Sequence, residues 1–201
     1  MTKRGECLTL RELTFADVEA VLAIYRDPAV TRHLGLYPQT QNEVELAVAI
    51  AVAASAQVPR TDFLLGIVLC ESDEIVVVVR LSLDLDSSTD PLIGPSELSS
   101  AGIGIVVSAL KWGRGYGREG ARLILNLGFE ELGLHRVWGA RAPENLASDR
   151  LLRRIGMVQE RVIRDHLFAD GSWRDSIVYS ILREEWELFR LAANGSERVL
   201  S

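Results

Sequence analysis

Cysteine and histidine are scarce in this sequence of 201 residues. Its two cysteines, Cys7 and Cys70, match neither a metal-ligand spacing nor a redox motif, and there are three histidines. The sequence therefore predicts neither a disulfide framework nor a bound metal. Free thiols of this kind fit a reducing compartment.

Long hydrophobic runs and an excess of positive charge are also absent. The longest apolar stretch, LAVAIAVAASA at residues 46–56, is about half of the roughly 20 residues that a membrane helix requires. The N-terminal MTKRGECLTL is too polar for a signal peptide. The formal net charge of −6 argues against nucleic acid as a partner, because phosphate binding needs a basic surface. We expect a cytoplasmic protein, monomeric or homodimeric, that binds neither membrane nor nucleic acid.

Strand and helix patterns alternate along the chain and predict an α/β (α+β) fold with a mixed sheet. LTLREL at residues 8–13 alternates as a strand, and the following TFAD is a capping box that opens a helix. In residues 44–52 the apolar side chains recur with period two, which is typical of a strand. The preceding capping box TQNE and the interleaved alanines favour a helix instead. The expected order is β-α-α-β-β-β-α-β-α-β-β.

The length suggests one domain, and no repeat or low-complexity linker interrupts the chain. We expect a single domain over residues 1–201. Within it, residues 183–201 form a C-terminal extension that is partly flexible.

A glycine-rich segment, KWGRGYGREG at residues 111–120, separates a predicted strand at residues 102–107 from a predicted helix. Its GYGREG portion fits the dinucleotide-binding pattern G-x-G-x-x-G. However, hairpins rather than repeated βαβ units surround the segment, and SALKW intervenes between the strand and the glycines. A nicotinamide-binding module is therefore the less favoured alternative.

The glycines still indicate an anion site. Gly113, Gly115 and Gly117 let the backbone turn tightly and approach a ligand closely. The helix that follows presents unpaired N–H groups and the positive end of its dipole. We expect a pyrophosphate site here, with Arg114 or Arg118 at its rim.

The same segment resembles the acetyl-CoA loop of the Gcn5-related N-acetyltransferases (the GNAT family), which reads V-x-P-x-x-Q/R-x-x-G-x-G/A. Val107 to Gly117 follow this pattern, except that Ala109 replaces the proline and Trp112 replaces Gln or Arg. A tryptophan followed by GRGY is similar to the branch of the ribosomal-protein N-terminal alanine acetyltransferases. LGLHRV, PENLASDRLLRRIGM and DGSWRDSIVYSILREEW extend the resemblance over nearly the whole chain.

The resemblance implies a GNAT fold, a mixed and mostly antiparallel central sheet of about seven strands flanked by about four helices. It also implies acetyl-CoA as the co-substrate, with no metal. In this family the pantetheine arm lies between two splayed strands, and the loop after the first strand donates N–H groups to the pyrophosphate. The residues that match these cofactor positions are Ile105, Val106, Val107, Trp112, Gly113, Arg114, Gly115, Tyr116, Gly117, Arg118 and Asn145.

Two polar residues match family positions near the reacting thioester. Asn145 matches an asparagine that contacts the pantetheine or the substrate side of the cleft. Ser148 matches a serine near the sulfur, so the resemblance implies that both residues are catalytic. The local sequence offers other interpretations, because asparagine is a good helix N-cap and Ser148 would be an ordinary first-turn serine.

No general base is evident. Many relatives carry an acidic residue on the strand before the loop, where this chain has Gly102. Asp84, Asp86 and Glu12 are substitutes, although each also fits a solvated carboxylate. The residues expected in the acceptor pocket are His33, Tyr37, Asp84 and Asp86.

The expected reaction is the transfer of an acetyl group from acetyl-CoA to a primary amine by direct attack. The amine belongs to a protein or peptide N-terminus, or to a small molecule such as an antibiotic. The absent acidic residue leaves open a non-catalytic acyl-CoA-binding sensor on the same fold. Residues 84–97 carry four carboxylates and no basic residue, which favours a cationic acceptor.

Overall fold

The computed structural model of the protein describes residues 1–35, 40–84, 100–169 and 171–197. Its strands are β1 (Thr2–Arg4), β2 (Leu8–Glu12), β3 (Asp62–Leu69), β4 (Ile75–Leu83), β5 (Ser100–Val107), β6 (Arg136–Arg141), β7 (Val158–Ala169) and β8 (Ser172–Leu182). Its α-helices are α1 (Val18–Tyr25), α2 (Pro28–Thr31), α3 (Gln41–Ala54), α4 (Tyr116–Asn126), α5 (Leu146–Arg154) and α6 (Arg183–Glu197).

The described strands form one sheet with the order β1-β2-β3-β4-β5-β6-β8-β7. The β5–β6 pair is parallel, and the other neighbouring strands are antiparallel. This confirms the mixed, mostly antiparallel sheet, with eight strands rather than about seven. The additional strand is β1, whose three residues TKR are too few and too polar to show an alternation.

The described part of the chain contains six α-helices, two more than expected. The first addition, α2, is a single turn capped by Asp27, whose side chain accepts the N–H of Ala29 at 2.8 Å. The second, α6, begins at Arg183 and buries Trp186 (3% exposed) in the core. The C-terminal extension itself stays a prediction. None of the described helices is long and apolar enough to cross a membrane.

The preference for a helix at residues 44–52 is confirmed by α3. Thr40 and Glu43 form the predicted capping box, in which the Thr40 N–H donates to the Glu43 carboxylate at 2.9 Å. Val44, Val48 and Ala51 are buried. Because they are spaced by four and three residues, they form one helical face, and the cap and this face outweigh the period-two pattern.

The helices cover both faces of the sheet. On β4, Val77, Val79 and Leu81 belong to the apolar core beneath α4, whereas Val78 belongs to the core beneath α1 and α3. Alternation along a strand sends successive side chains to opposite faces, so a strand buried on both sides reads as a continuous apolar run. The same alternation gives β5 two distinct faces near the predicted cofactor site.

The sheet opens between β5 and β6. These strands pair only where Ser100–Gly102 lies beside Arg136–Trp138. Beyond Gly102, β5 continues to pair with β4 as far as Val107. Its opposite edge has no strand partner among the described residues, as the family resemblance implies for two splayed strands.

A polar cluster that the sequence did not reveal fixes the start of α5 to the sheet. Asp149 on α5 accepts hydrogen bonds from Arg141 at 2.6 Å and Arg153 at 3.1 Å. It also accepts one from the hydroxyl of Tyr179, a β8 residue with 0% exposure. The cluster therefore joins α5 to both β6 and β8, next to the predicted residues Asn145 and Ser148.

The hydrogen bond from Tyr179 and those from Arg153 and Arg141 lower the pKa of Asp149 from its ordinary value of 3.8 to about 2. Because the folded pKa lies below the unfolded one, the ionised carboxylate stabilises the fold at pH values above about 4. As the pH falls from about 4 to about 2, this contribution disappears.

We predict that Asp149→Asn lowers the free energy of unfolding at pH 7, and that its difference from the parent shrinks as the pH falls from about 4 to about 2. Urea denaturation at several pH values measures this difference. Glu187→Gln, at an exposed position on α6, is the matched control. A difference for Asp149→Asn that stays constant with pH would contradict the assignment.

Candidate functional site

The glycine-rich loop connects β5 to α4 through two left-handed residues. After Val107 a short 3-10 turn (Ala109–Lys111) leads to Gly113 and Gly115, whose φ angles are 76° and 83°. Residues with side chains are strained in this region, whereas glycine is not. The sequence places glycines here because the chain must turn sharply from the strand into the helix.

The loop leaves a row of backbone donors unused. The first N–H groups of α4 that bond within the chain are those of Arg118 and Glu119, both to the carbonyl of Gly115 at 2.9 and 3.1 Å. The N–H groups of residues 113–117 donate to no described residue. Five such donors at the positive end of a helix form a site suited to a phosphate or pyrophosphate.

Side chains around the loop hold it in place. Lys111 forms an ion pair with Glu74 at 2.7 Å, and the indole N–H of Trp112 donates to the Val107 carbonyl at 3.0 Å. Trp112, at the position where relatives carry Gln or Arg, thus secures the turn to the end of β5. Arg114 and Arg118 are exposed and form no ion pair with a described residue, so both are available to an anionic ligand.

The carboxylate of Glu119 lies in the first turn of α4, but its Oε1 is turned to the start of β2. It accepts the N–H groups of Cys7 and Leu8 at 2.8 and 2.9 Å. These bonds tie the first turn of α4 to the start of β2. They anchor the helix whose N-terminus carries the free donors.

The predicted cofactor residues of β5 lie on both faces of the strand. Ile105 and Val107 pack against the core beneath α4, whereas Val106 packs against the core beneath α1 and α3. Their backbone forms the edge that β6 leaves unpaired. A pantetheine arm with amide groups could bond to such an edge as a strand would.

Asn145 and Ser148 lie at the N-terminus of α5, which contacts α4. A Cβ placed at Gly117 would lie 3.7 Å from a methyl group of Leu151, so the first turn of α4 lies against the second turn of α5. Asn145 is an N-cap, since its side-chain oxygen accepts the N–H of Ser148 at 3.0 Å. The half-buried hydroxyl of Ser148 bonds to no described residue. The catalytic roles of these residues stay predictions.

Trp138 fills the space beside Gly102, the position at which the family resemblance implies an acidic side chain. A Cβ at Gly102 would lie 3.0 Å from Cζ2 of Trp138, too close for a larger residue without movement of the indole. The indole N–H instead donates to the carboxylate of Asp84 at 2.8 Å, and Ser100 also donates to it. Asp84 therefore lies near Gly102, immediately after the end of β4.

The other residues predicted as a general base or in the acceptor pocket lie in different parts of the chain. Glu12 forms a two-bond pair with Arg60 at 2.7 and 3.0 Å, so Arg60 already neutralises its carboxylate. Tyr37 and Asp86 lie outside the described residues. His33 lies in a cleft.

That cleft, of about 630 Å³, separates the end of α2 from the end of β6 and the tip of the β7–β8 hairpin. Burial, followed by the charge of Arg32, lowers the pKa of His33, which favours a neutral imidazole at pH 7. The lining of the cleft combines positively and negatively charged side chains with one exposed indole. The lining residues are Arg32, His33, Pro143, Glu144, Trp173, Arg174 and Asp175.

Cationic, carboxylate and aromatic groups together can bind a polar chain with charged groups of either sign. The described residues contain no cluster of three or more His, Cys, Asp or Glu side chains that could hold a metal ion. The sequence pointed to His33 in this cleft. It did not point to Trp173 and Arg174, because they reach the cleft only through the pairing of β7 with β8.

Comparisons with known proteins agree with this geometry. Residues 8–158 match the model of the acetyltransferase (GNAT) domain. The chain is 26% identical over 184 residues to Uncharacterized N-acetyltransferase p20 of Bacillus licheniformis, which covers 90% of this chain and 96% of that protein. It is 34% identical over 53 residues to the ribosomal protein uS5 alanine N-acetyltransferase of Escherichia coli, covering 26% of this chain and 27% of that protein.

The fold itself matches solved structures. Mycobacterium smegmatis RimJ in complex with CoA-disulfide superposes with a TM-score of 0.75 at 20% identity, covering 93% of this chain and 89% of that one. Since the domain model spans most of the chain, this protein belongs to the GNAT N-acetyltransferases, acyltransferases whose general reaction moves an acetyl group from acetyl-CoA to an amine.

Proposed function

We propose that the protein acetylates the N-terminal α-amine of a peptide or protein, using the glycine loop and the unpaired edge of β5 to bind acetyl-CoA. The observation that carries the cofactor assignment is the row of free N–H groups at residues 113–117, which continues the open edge of β5. Arg114 and Arg118 would add charge at the phosphates. Acetyl-CoA supplies the acyl thioester that the amine attacks.

The absence of an acidic side chain at Gly102 supports an α-amine over a lysine side chain. An α-amino group has a pKa of about 7.7–8.0, so roughly a tenth of it is already neutral at pH 7. A lysine amine, with a pKa of about 10.4, is neutral in fewer than about one molecule in a thousand. An α-amine therefore depends far less on a strong general base, and this site does not display one on β5.

The cleft provides the contacts that a peptide would need. The carboxylates of Glu144 and Asp175 can attract the ammonium form, and the indole of Trp173 offers an apolar surface. His33, neutral at pH 7, is the candidate proton acceptor. Ribosomal-protein N-acetyltransferases among the relatives act on protein substrates, as their names state, which agrees with this acceptor class.

On the other side of the reaction, Ser148 is the candidate proton donor to the departing sulfur. Its hydroxyl is free of described partners, and its backbone N–H donates to the N-cap oxygen of Asn145, which fixes the backbone of this turn. A thiol is a good leaving group, so this proton contributes only moderately to the rate. The polar cluster at Asp149 keeps the whole turn against β6 and β8.

The acceptor is tested by release of free thiol from acetyl-CoA with a panel of amines. We predict turnover with peptides that begin with Ala or Ser, and none when the same peptides are N-terminally blocked but retain a lysine. An aminoglycoside and a polyamine complete the panel. Faster turnover with either of these than with the free peptides would show that the acceptor is a small amine and not a peptide.

We predict that Gly115→Ala weakens acetyl-CoA binding at least about tenfold, because strain at φ 83° turns the loop N–H groups away from the phosphates. Gly171→Ala is the matched control. The φ angle of Gly171 is 76°, and a Cβ added at Gly115 or at Gly171 meets no atom within 4 Å. Titration calorimetry measures both. Equal affinity for the two folded variants would show that the loop does not hold the pyrophosphate.

We predict that Ser148→Ala lowers kcat by about tenfold to a thousandfold and leaves the affinity for acetyl-CoA unchanged. Alanine is an excellent helix residue and no described hydrogen bond of the hydroxyl is lost, so the melting temperature should hold. Steady-state kinetics across a range of pH measure the effect. If kcat is unchanged at every pH, Ser148 is not the proton donor.

A further inference from the structure

A second cavity of about 330 Å³ lies between the sheet and the helices α1 and α3. This volume is in the range of small-molecule pockets, about 300–1,000 Å³. Most of its walls are aliphatic. The apolar lining residues are Val21, Leu34, Ala47, Val48, Ile50, Ala51, Ala54, Leu64, Val78, Gly104 and Val106.

The polar members of the lining are largely neutralised. Arg80 and Asp62 form an ion pair with each other, with a nitrogen–oxygen distance of 3.1 Å at Nε. Tyr25 is the third polar residue of the wall. A peptide backbone in this cavity would lose its water and find few partners, which is costly for amide groups. An aliphatic chain has no such cost and gains from burial.

The cavity opens onto the strand that carries the proposed thioester site. Gly104 and Val106 of β5 line it, whereas Ile103 and Ile105 face the opposite core. At Gly104 an added Cβ would meet no atom within 4 Å, so the strand surface is open toward the cavity at that point. A group that extends from the unpaired edge of β5 past Gly104 enters an apolar chamber.

We infer that this cavity binds the acyl chain of acyl-CoA thioesters longer than acetyl, so that the protein also transfers short aliphatic acyl groups. The inference rests on the proposed cofactor site. In the transfer, the acyl carbonyl carbon forms a bond to the acceptor nitrogen and its bond to sulfur breaks. The nitrogen loses a proton to a base, and the thiolate takes up a proton to leave as CoA.

The two cavities thereby divide the substrates by chemistry. The cleft at His33, with its charged and hydrogen-bonding groups, receives the polar acceptor, and the aliphatic cavity at Gly104 receives the acyl chain. The alternative occupant of the aliphatic cavity is an apolar body on the acceptor itself. That alternative predicts no dependence of CoA-thioester affinity on chain length.

Calorimetric titration of the full chain with CoA, acetyl-CoA, butyryl-CoA and hexanoyl-CoA separates these possibilities without a known acceptor. We expect affinity to rise along the series, with hexanoyl-CoA bound about tenfold or more tightly than acetyl-CoA, since each buried methylene adds to binding. If acetyl-CoA binds and hexanoyl-CoA binds equally or more weakly, the inference is overturned and the proposed function stands. If none of the four binds, the cofactor site itself is overturned.

Variants of α3 show whether the chain enters this cavity. Ala47→Phe fills the cavity from the helix side and should abolish the gain for hexanoyl-CoA while acetyl-CoA binds as before. Ala47→Leu is the smaller replacement should phenylalanine prevent folding. Ala53→Phe, at an exposed position of the same helix outside the lining, is the control. A gain that survives both Ala47 variants would place the chain elsewhere and overturn the inference.

Discussion

The short ladder between β5 and β6 is the constraint on which the site depends. Backbone N–H and C=O groups must be paired or solvated, and β5 pairs with β6 for three residues before the partner diverges. From Ile103 onward, one edge of a strand in the middle of the sheet is left without a strand partner in the described part of the chain. The unpaired N–H groups of residues 113–117 follow that edge, so the proposed acyl-CoA ligand, with its amide and phosphate groups, would pair with both.

The divergence of β5 and β6 also explains why the helices beside the glycine-rich loop are anchored to the sheet by side chains. An open sheet would be weak at this point if the flanking elements were free to move. The N-terminus of α4 is held to β2 through Glu119, and the N-terminus of α5 is held to β6 and β8 through Asp149. Each anchor uses a carboxylate near a helix N-terminus, where the helix dipole favours negative charge. The N-termini of α4 and α5 are therefore both fixed to the sheet.

Local features of the site were predictable from the sequence, whereas its long-range contacts were not. The capping box at Thr40 and the left-handed glycines depend on residues a few positions apart, and sequence patterns record such spacing. The contact of Trp138 with Asp84 joins residues 54 positions apart, and that of Tyr179 with Asp149 joins residues 30 apart. Neither pair carries a local signal. The pairing of β4, β5 and β6 brings Trp138 to Asp84, and the packing of α5 on the sheet brings Asp149 to Tyr179.

One short segment connects the proposed acceptor cleft with the proposed acyl cavity. Arg32 and His33 line the polar cleft, and the next residue, Leu34, lines the aliphatic cavity. The β7–β8 hairpin supports this segment, since Arg174 donates to the carbonyl of Arg32 at 3.2 Å and Leu167 packs beside Gly35. A shift of the hairpin would therefore move the walls of both cavities together. Under the proposed roles of the two cavities, acceptor size and acyl-chain length would be coupled through this one structural element.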